Sequence, residues 1–271
     1  MIKLLATDLD GTILNRHTPV HPDDIATLEH LGKAGVIRIA ATGRTLQSAF
    51  NVLPDNFPID YLVFSSGAGI YCWQEKKLLQ TKHLGFDKTK ALIEVFNSFK
   101  VEYTLHHPIP QNHLFFHPEG NDPHPDFERY LEFNHANAEV INSKIPKLDY
   151  TQTLAFVPNM DVFNSISSKC SDFDVKIIRA TSPIDGKSIW MECFHPDVSK
   201  ASGILEICKL KGIDDHQVVA IGNDFNDLDM LNHFDHSFVV KNSPEELKDQ
   251  FQTLTDSFNA PLKDWFNRFN S

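Results

Sequence analysis

The sequence has no uncharged apolar run approaching the roughly 20 residues that a membrane-spanning helix needs, which excludes a helical integral membrane protein. The short apolar run at the amino terminus, Ile2 to Ala6, meets Asp8 too soon to have the form of a signal peptide. Cysteine is scarce and unpatterned. Cys72, Cys170, Cys193 and Cys208 show no C-x-x-C spacing and fall in segments that read as strand or helix, so reduced thiols in a soluble, cytoplasmic protein are expected. Positive charge is short as well: 25 Lys and Arg stand against 36 Asp and Glu, a net charge of −11. That field disfavours nucleic acid and acidic membranes as partners. It still admits a small anionic substrate, because a bound cation and one or two local basic groups dominate at short range.

What is present is enough for a sizeable core. With 271 residues and 41% hydrophobic composition, one large or two medium domains are expected, and most of the 21 Phe should be internal. Ile2 to Thr7 reads as a buried parallel strand, and it stops at Asp8-Leu9-Asp10-Gly11-Thr12. In open α/β sheets ligands bind outside the carboxyl ends of the strands. Two carboxylates at such an end can bind a divalent cation and divide the work, Asp8 as nucleophile and Asp10 as proton donor. Gly11 lets the backbone approach a phosphate. The plain alternative is an Asp-rich turn after a strand.

Pro22 to Ala34 has the pattern of a helix, and Val36 to Ala41 that of a second strand, ending at Thr42-Gly43-Arg44. The Thr42 hydroxyl and the Gly43 N–H can reach a phosphoryl oxygen at the head of the next helix, about 45–53, although Thr42 also suits a plain N-cap. Tyr61 to Phe64 gives a third strand, and Ser65 to Gly69 turns into Ile70 to Trp73 and a hairpin tip at Glu75 to Lys77. Beyond a looser middle segment, Ile189 to Phe194 returns to an apolar strand, and Ser199-Lys200 heads a helix to about 211. Lys200 there can place its ammonium over a phosphate, although a surface lysine is the commoner case. Val218 to Ile221 is a further strand, and its end carries Gly222-Asn223-Asp224-Phe225-Asn226-Asp227, an oxygen-rich loop of the kind that suits magnesium. Ser237 to Val240 reads as the closing strand, and helices are expected at about 244–252 and 261–269.

The middle segment, 83–187, differs in texture and is expected to be an inserted α+β domain with one sheet. Its histidines His106, His107, His113, His117 and His124 crowd together with prolines but lack a compact ligand spacing such as HxxxH. A solvated, proline-stiffened loop is the expected account, ahead of substrate contact and zinc.

Four short signals thus occur in order, each at a strand end: DLDGT at Asp8, TGR at Thr42, SK at Ser199 and GNDFND at Gly222. Together they make the sequence resemble the haloacid dehalogenase superfamily of aspartate-nucleophile phosphohydrolases, and within it the Cof-type phosphatases with a type 2 cap. The resemblance spans nearly the whole chain. It implies a Rossmann-like parallel α/β core over 1–82 and 188–271, an inserted cap over 83–187, and a Mg2+-dependent phosphohydrolase acting on small phosphate monoesters, typically sugar phosphates. By the same resemblance Asp8 is the nucleophile and Asp10 the general acid and base; Lys200 neutralises charge. Thr42, Gly43, Lys200 and Asn226 hold the phosphate, and Asp8, Asp10, Asn223, Asp224 and Asp227 are the candidate metal ligands. The chain departs from the GDGxND form of the fourth motif, with Asn223 where a metal-binding Asp stands and Asp224 directly after it. A phosphomutase of the same fold, or a non-catalytic sugar-phosphate sensor, are the alternatives. A monomer is expected, its partner a small phosphorylated metabolite, with the loops at His106–Asn112 and Ser182–Lys187 as candidates for selecting it.

Overall fold

Apolar runs of four to six residues bounded by turn formers become buried strands when both faces are covered by helices. In the computed structural model, which describes residues 1–15, 18–120, 123–142 and 144–269, this happens twice. Along the chain come β1 (Leu4–Thr7), α1 (Pro22–Lys33), β2 (Ile37–Ala41), α2 (Leu46–Phe50), β3 (Tyr61–Phe64), β4 (Gly69–Cys72) and β5 (Lys77–Thr81). A second group follows: α3 (Phe86–Phe99), β6 (Glu102–His106), β7 (Phe115–His117), α4 (Pro125–Asn134), β8 (Ala138–Val140), β9 (Gln152–Val157), α5 (Met160–Lys169), β10 (Lys176–Thr181) and β11 (Ile189–Phe194). The chain ends with α6 (Lys200–Lys211), β12 (Val218–Gly222), α7 (Leu228–His233), β13 (His236–Val240), α8 (Glu245–Lys248), β14 (Gln252–Leu254) and α9 (Pro261–Phe269).

Two compact units result, one of Met1–Arg44, Ala49–Gln80 and Ser199–Ser271, the other of Thr45–Ser48 and Thr81–Val198. In the first, the described strands form an eight-stranded sheet in the order β14-β13-β12-β1-β2-β3-β4-β5. Strand β1 lies between β12 and β2, parallel to both, with Thr7 opposite Ile221 on one side and Ala40 on the other. That register sets the loops after β1, β2 and β12 side by side. The core under it joins Leu4, Ala6, Ile39 and Val63 to Ile204, Ile207 and Cys208 of α6. The chain is thus an α/β protein with a largely parallel sheet, as its strand-ending motifs led one to expect.

The second unit holds a mixed six-stranded sheet, β10-β11-β9-β6-β7-β8. Helices α3 and α5 cover one face through Leu92, Phe96, Phe163 and Ile166, which pack with Tyr103, Leu105 and Ala155 of the sheet. Phe127 of α4 packs with Leu154, Phe156 and Trp190 of the strands. Buried Asp126 accepts a hydrogen bond from the Trp190 indole at 2.7 Å, so α4 is tied down by a polar contact as well.

Some expectations need correction here. Strand Ile189–Phe194, read as the return to the core, instead pairs antiparallel with β9 and β10 in this second sheet. Its apolar run looked the same as a core strand because both are covered on both faces. The expected helix at 244–252 is only Glu245–Lys248, after which Gln252–Leu254 adds an edge strand beside β13. The histidine segment is a solvated loop only in part, since His106 and His117 lie in strands and His106 is buried. His106 is 3% exposed in β6, hydrogen-bonded to Thr104 and to the Asn112 carbonyl, and burial lowers its pKa to about 4. His107 stacks on Phe116, and His124 caps α4 by accepting the Asp126 N–H. Residues 121–122 of that segment lie outside the described residues. All four cysteines are buried and free, and burial raises the Cys170 and Cys208 thiols to about 11. Among the described residues no helix is long and apolar enough to cross a membrane.

Candidate active site

The three adjacent loops after β1, β2 and β12 bring most of the predicted residues together, and the head of α6 completes the group. Asp8 leaves β1 with its N–H donating to the Ile221 carbonyl, and the residue is 4% exposed. The Lys200 ammonium donates to Asp8 Oδ1 and to Asp227 Oδ1, each at 2.6 Å. Lys200 is wholly buried because it is the first residue of α6, whose N-cap, Ser199, exchanges reciprocal hydrogen bonds with Ser202. The backbone of Ser199 lies hard against Gly67, where a side chain would collide with the Ser199 carbonyl and where φ is +105°. A residue with no side chain in the turn after β3 therefore sets the depth at which Lys200 enters.

The charges in this cluster perturb one another. Burial raises the pKa of Asp8 to about 7, the Lys200 ammonium acting against the rise and Asp227 and Asp10 adding to it. Burial alone would depress Lys200. The carboxylates Asp227 and Asp8 outweigh it and hold the ammonium above its ordinary range. Lys200 is thus a fixed cation between two carboxylates.

Asp227 is fully engaged. Its Oδ2 accepts the backbone N–H groups of Asn223 at 2.8 Å and Asp224 at 3.1 Å, while Oδ1 takes Lys200. It serves here as the anchor of Lys200 and of its own loop. Asp224 heads the short 3-10 turn Phe225–Asp227. The Asn226 amide lies beside Gly43, 3.6 Å from where a Cβ on that glycine would be, and Ser66 Oγ is equally near. Thr42 is buried and its hydroxyl accepts the Arg44 N–H at 3.1 Å. Asn226 therefore lies beside Gly43, the neighbour of Thr42 in the loop after β2.

Three residues given no role from sequence also belong here. Arg44 grips Asp10 with two parallel bonds, Nε to Oδ2 and Nη2 to Oδ1, both 2.7 Å. Thr12 donates to Asp8 Oδ2 at 3.1 Å. Ser66 sits beside Gly43 in a left-handed turn, φ 55°. The adjacency of β1 and β2 is the signal for the first: it makes the Asp10 and Arg44 loops neighbours.

A cation fits this loop group on its donor chemistry. Among the described residues no three His, Cys, Asp or Glu side chains gather as metal ligands. Instead, the end of the Asn223 side chain meets three oxygens: the Asp10 carbonyl at 3.0 Å, Asp8 Oδ2 at 3.1 Å and Thr12 Oγ1 at 3.2 Å. Carboxylate, carbonyl and amide oxygens are hard donors of the kind that magnesium and calcium take.

Comparison with known proteins places the chain in a family. The family model for haloacid dehalogenase-like hydrolases matches residues 5–260. The Bacillus subtilis protein named 5-amino-6-(5-phospho-D-ribitylamino)uracil phosphatase YitU is 24% identical over 278 residues, covering 97% of each chain. A second from the same organism with the same phosphatase name, YwtE, is 22% identical and covers 94% of this chain and 93% of its own. The solved structure of the HAD subclass IIB sugar phosphatase BT4131 superposes with a TM-score of 0.78 at 17% identity, covering 99% of both chains. With a family model spanning residues 5–260 and the motif residues brought together as described, the chain belongs to the haloacid dehalogenase-like hydrolases.

Proposed function

We propose that this hydrolase cleaves small phosphate monoesters, sugar phosphates foremost, by way of an aspartyl-phosphate on Asp8. The observation that carries the reading is the buried Lys200 ammonium held at 2.6 Å from both Asp8 and Asp227. A fixed cation beside a carboxylate nucleophile lets a second anion, the phosphoryl group, approach it. The phosphatase names of the relatives, and the sugar phosphatase among the structural neighbours, support the substrate class.

In the first step an Asp8 oxygen attacks phosphorus while the ester oxygen leaves and takes a proton from Asp10. In the second, Asp10 takes a proton from water, water oxygen attacks the same phosphorus, and Asp8 is released with inorganic phosphate. Splitting the hydrolysis makes two easier displacements of one difficult one. The Thr42 hydroxyl, the Gly43 N–H and the Asn226 amide would donate to the phosphoryl oxygens. Arg44 holds the Asp10 carboxylate by both oxygens, and that bond must loosen for Asp10 to present a proton. Phosphatases of this family generally use a divalent cation. Asp8, the Asp10 carbonyl and Asn223 would hold one here, with Asp224 near enough in sequence to add charge, and magnesium, when bound, would offset the charge of nucleophile and phosphate. The unit of residues 81–198 would act as the cap that selects substrate.

The test is phosphate release from p-nitrophenyl phosphate and a panel of sugar phosphates, with and without magnesium, for the wild type and Asp8→Asn. The reading expects magnesium-dependent release that the variant abolishes. Release that survives in a folded Asp8→Asn protein would overturn it.

A further inference from the structure

The loop that carries Asp8 curls on itself. The N–H groups of Thr12, Ile13 and Leu14 converge on the Leu9 carbonyl, and the Gly11 N–H returns to the Leu14 carbonyl at 2.8 Å. Leu9 and Ile13 are wholly buried, which sets the depth of the curl. Apolar burial has no direction, so the rotation of the curl falls to directional bonds at its ends. The near end is held by the Asp8 N–H on the Ile221 carbonyl. At the far end Asn15 meets Ser257, from the turn between β14 and α9. The Ser257 hydroxyl donates to Asn15 Oδ1 at 2.7 Å, and the Ser257 carbonyl accepts from Asn15 Nδ2 at 2.8 Å. The Ser257 N–H donates to Asn242 Oδ1 at 3.0 Å, and Asn242 Nδ2 donates to the Gly11 carbonyl at 2.8 Å. Every polar group of Ser257 thus reaches the curl, two directly and one through Asn242.

We infer that Ser257 is a positioning residue for the nucleophile: with Asn15 and Asn242 it fixes the orientation of the Asp8–Asn15 loop, and through the loop that of the Asp8 carboxylate. The inference rests on the hydrolase reading above. One route runs along the Gly11–Thr12 peptide. Asn242 holds its carbonyl and the Leu9 carbonyl holds its N–H, so the peptide plane is fixed from both sides. The Thr12 hydroxyl that follows this plane lies 3.1 Å from Asp8 Oδ2. Asn242 is exposed, where water competes for its bonds, whereas Ser257 is 2% exposed, so the Asn15 pair is the stronger tie. Ser257 is itself held. Asp256 Oδ1 accepts the Phe258 N–H at 3.0 Å and Asn259 Nδ2 at 2.7 Å, which closes the turn, and Asp24 holds the head of α9 just beyond it. Attack on phosphorus tolerates little rotation of the nucleophile, since a misplacement of about 1 Å can cost on the order of 100-fold in rate. Ser257 acts through the loop and not on the substrate, so its loss lowers kcat and leaves KM in place.

The experiment measures kcat and KM for p-nitrophenyl phosphate, well below the melting temperature of each protein, for wild type, Ser257→Ala, Ser257→Thr, Asn15→Ala and the double alanine variant. Backbone NMR signals of Gly11 and Thr12 are followed in the same proteins. Ser257→Ala should lower kcat about tenfold with KM within about twofold, and should shift both signals. Ser257→Thr, which keeps the hydroxyl, should return kcat to within about threefold of wild type. Asn15→Ala should cost at least as much as Ser257→Ala, and the double variant no more than Asn15→Ala alone, because each residue is the other's partner. A kcat within about twofold of wild type in both single alanine variants, or losses that multiply in the double variant, would overturn the inference and leave the hydrolase reading standing. A lowered melting temperature with kcat and both signals unmoved would do the same. Should Asn15→Ala fail to fold, the two Ser257 variants decide the matter. A wild type that releases no phosphate from p-nitrophenyl phosphate or the sugar phosphates would overturn the hydrolase reading, and the Gly11 and Thr12 signals then decide whether Ser257 orients the loop.

Discussion

Replacing Lys200 by Met removes one charge and little volume from a site that is 0% exposed, and so tests what the ammonium does. Each N···O contact is 2.6 Å, and at an effective dielectric of about 20 the gross attraction is roughly 6 kcal/mol per pair. Most of that offsets the desolvation of three charges. What the substitution exposes is the penalty of leaving Asp8 and Asp227 buried without a partner, about 3–5 kcal/mol. The cost depends on pH. Asp8 titrates in the fold at about 7, above its unfolded value of 3.8, so the stability linked to its proton is present at low pH and is lost as pH rises through about 7. The pKa of Lys200 is raised, so its contribution is intact over this window and would fade only above the ordinary lysine range. Without Lys200, Asp8 titrates higher still and can relieve the repulsion by keeping its proton. Urea unfolding in EDTA should therefore show a destabilisation of about 3–5 kcal/mol at pH 8, smaller by about 1–2 kcal/mol at pH 5. Phosphate release should be lost at both. A cost below about 1 kcal/mol, or one that does not change between the two pH values, would refute the reasoning.

Asp24 links α1 to α9 by accepting the N–H groups of Leu262 and Lys263, and burial raises its pKa to about 6. Its stabilising proton is lost as pH rises through that value, so Asp24→Asn should match wild type near pH 4 and flatten the fall in melting temperature between pH 4 and 7; an unchanged slope would contradict this. His106 has the opposite sign: its pKa is lowered to about 4, so stability present above pH 6.5 is lost as pH falls, by about 3 kcal/mol in all. His106→Gln should remove that acid limb from the urea-unfolding profile, and its persistence would assign it elsewhere. Gly67→Ala should displace the head of α6, lowering stability by more than about 1 kcal/mol and phosphate release with it; wild-type values for both would refute the close approach to Ser199.

The candidate site was legible to the extent that chemistry sits at strand ends. Asp8, Thr42 and the Gly222–Asp227 loop each follow an apolar run, and a parallel sheet puts all such ends on one edge. What could not be read was pairing across the chain. Lys200 is readable as a charge over a phosphate at the head of a helix, but its pairing with Asp8, 192 positions back, depends on the Gly67 turn and the Ser199 cap. Arg44 was visible beside Thr42, but its grip on Asp10 depends on β1 and β2 being neighbours. Strand Ile189–Phe194 was assigned to the wrong sheet because burial on both faces erases the alternation that would distinguish its partners. Strands β8 and β14 are three residues each at sheet edges, too short to carry a period. His106 was misjudged because its prolines signalled a loop, whereas Thr104 and Asn112 supply partners that let an imidazole be buried.

The account stands most directly on Asp8 becoming covalently phosphorylated. Acid-quenched single turnover with a radiolabelled phosphate monoester, followed by peptide mapping, measures this. The account predicts label on the peptide that contains Asp8, lost at neutral hydroxylamine and absent from Asp8→Asn. Turnover with no protein-bound label at any quench time, or label on another residue, would contradict it.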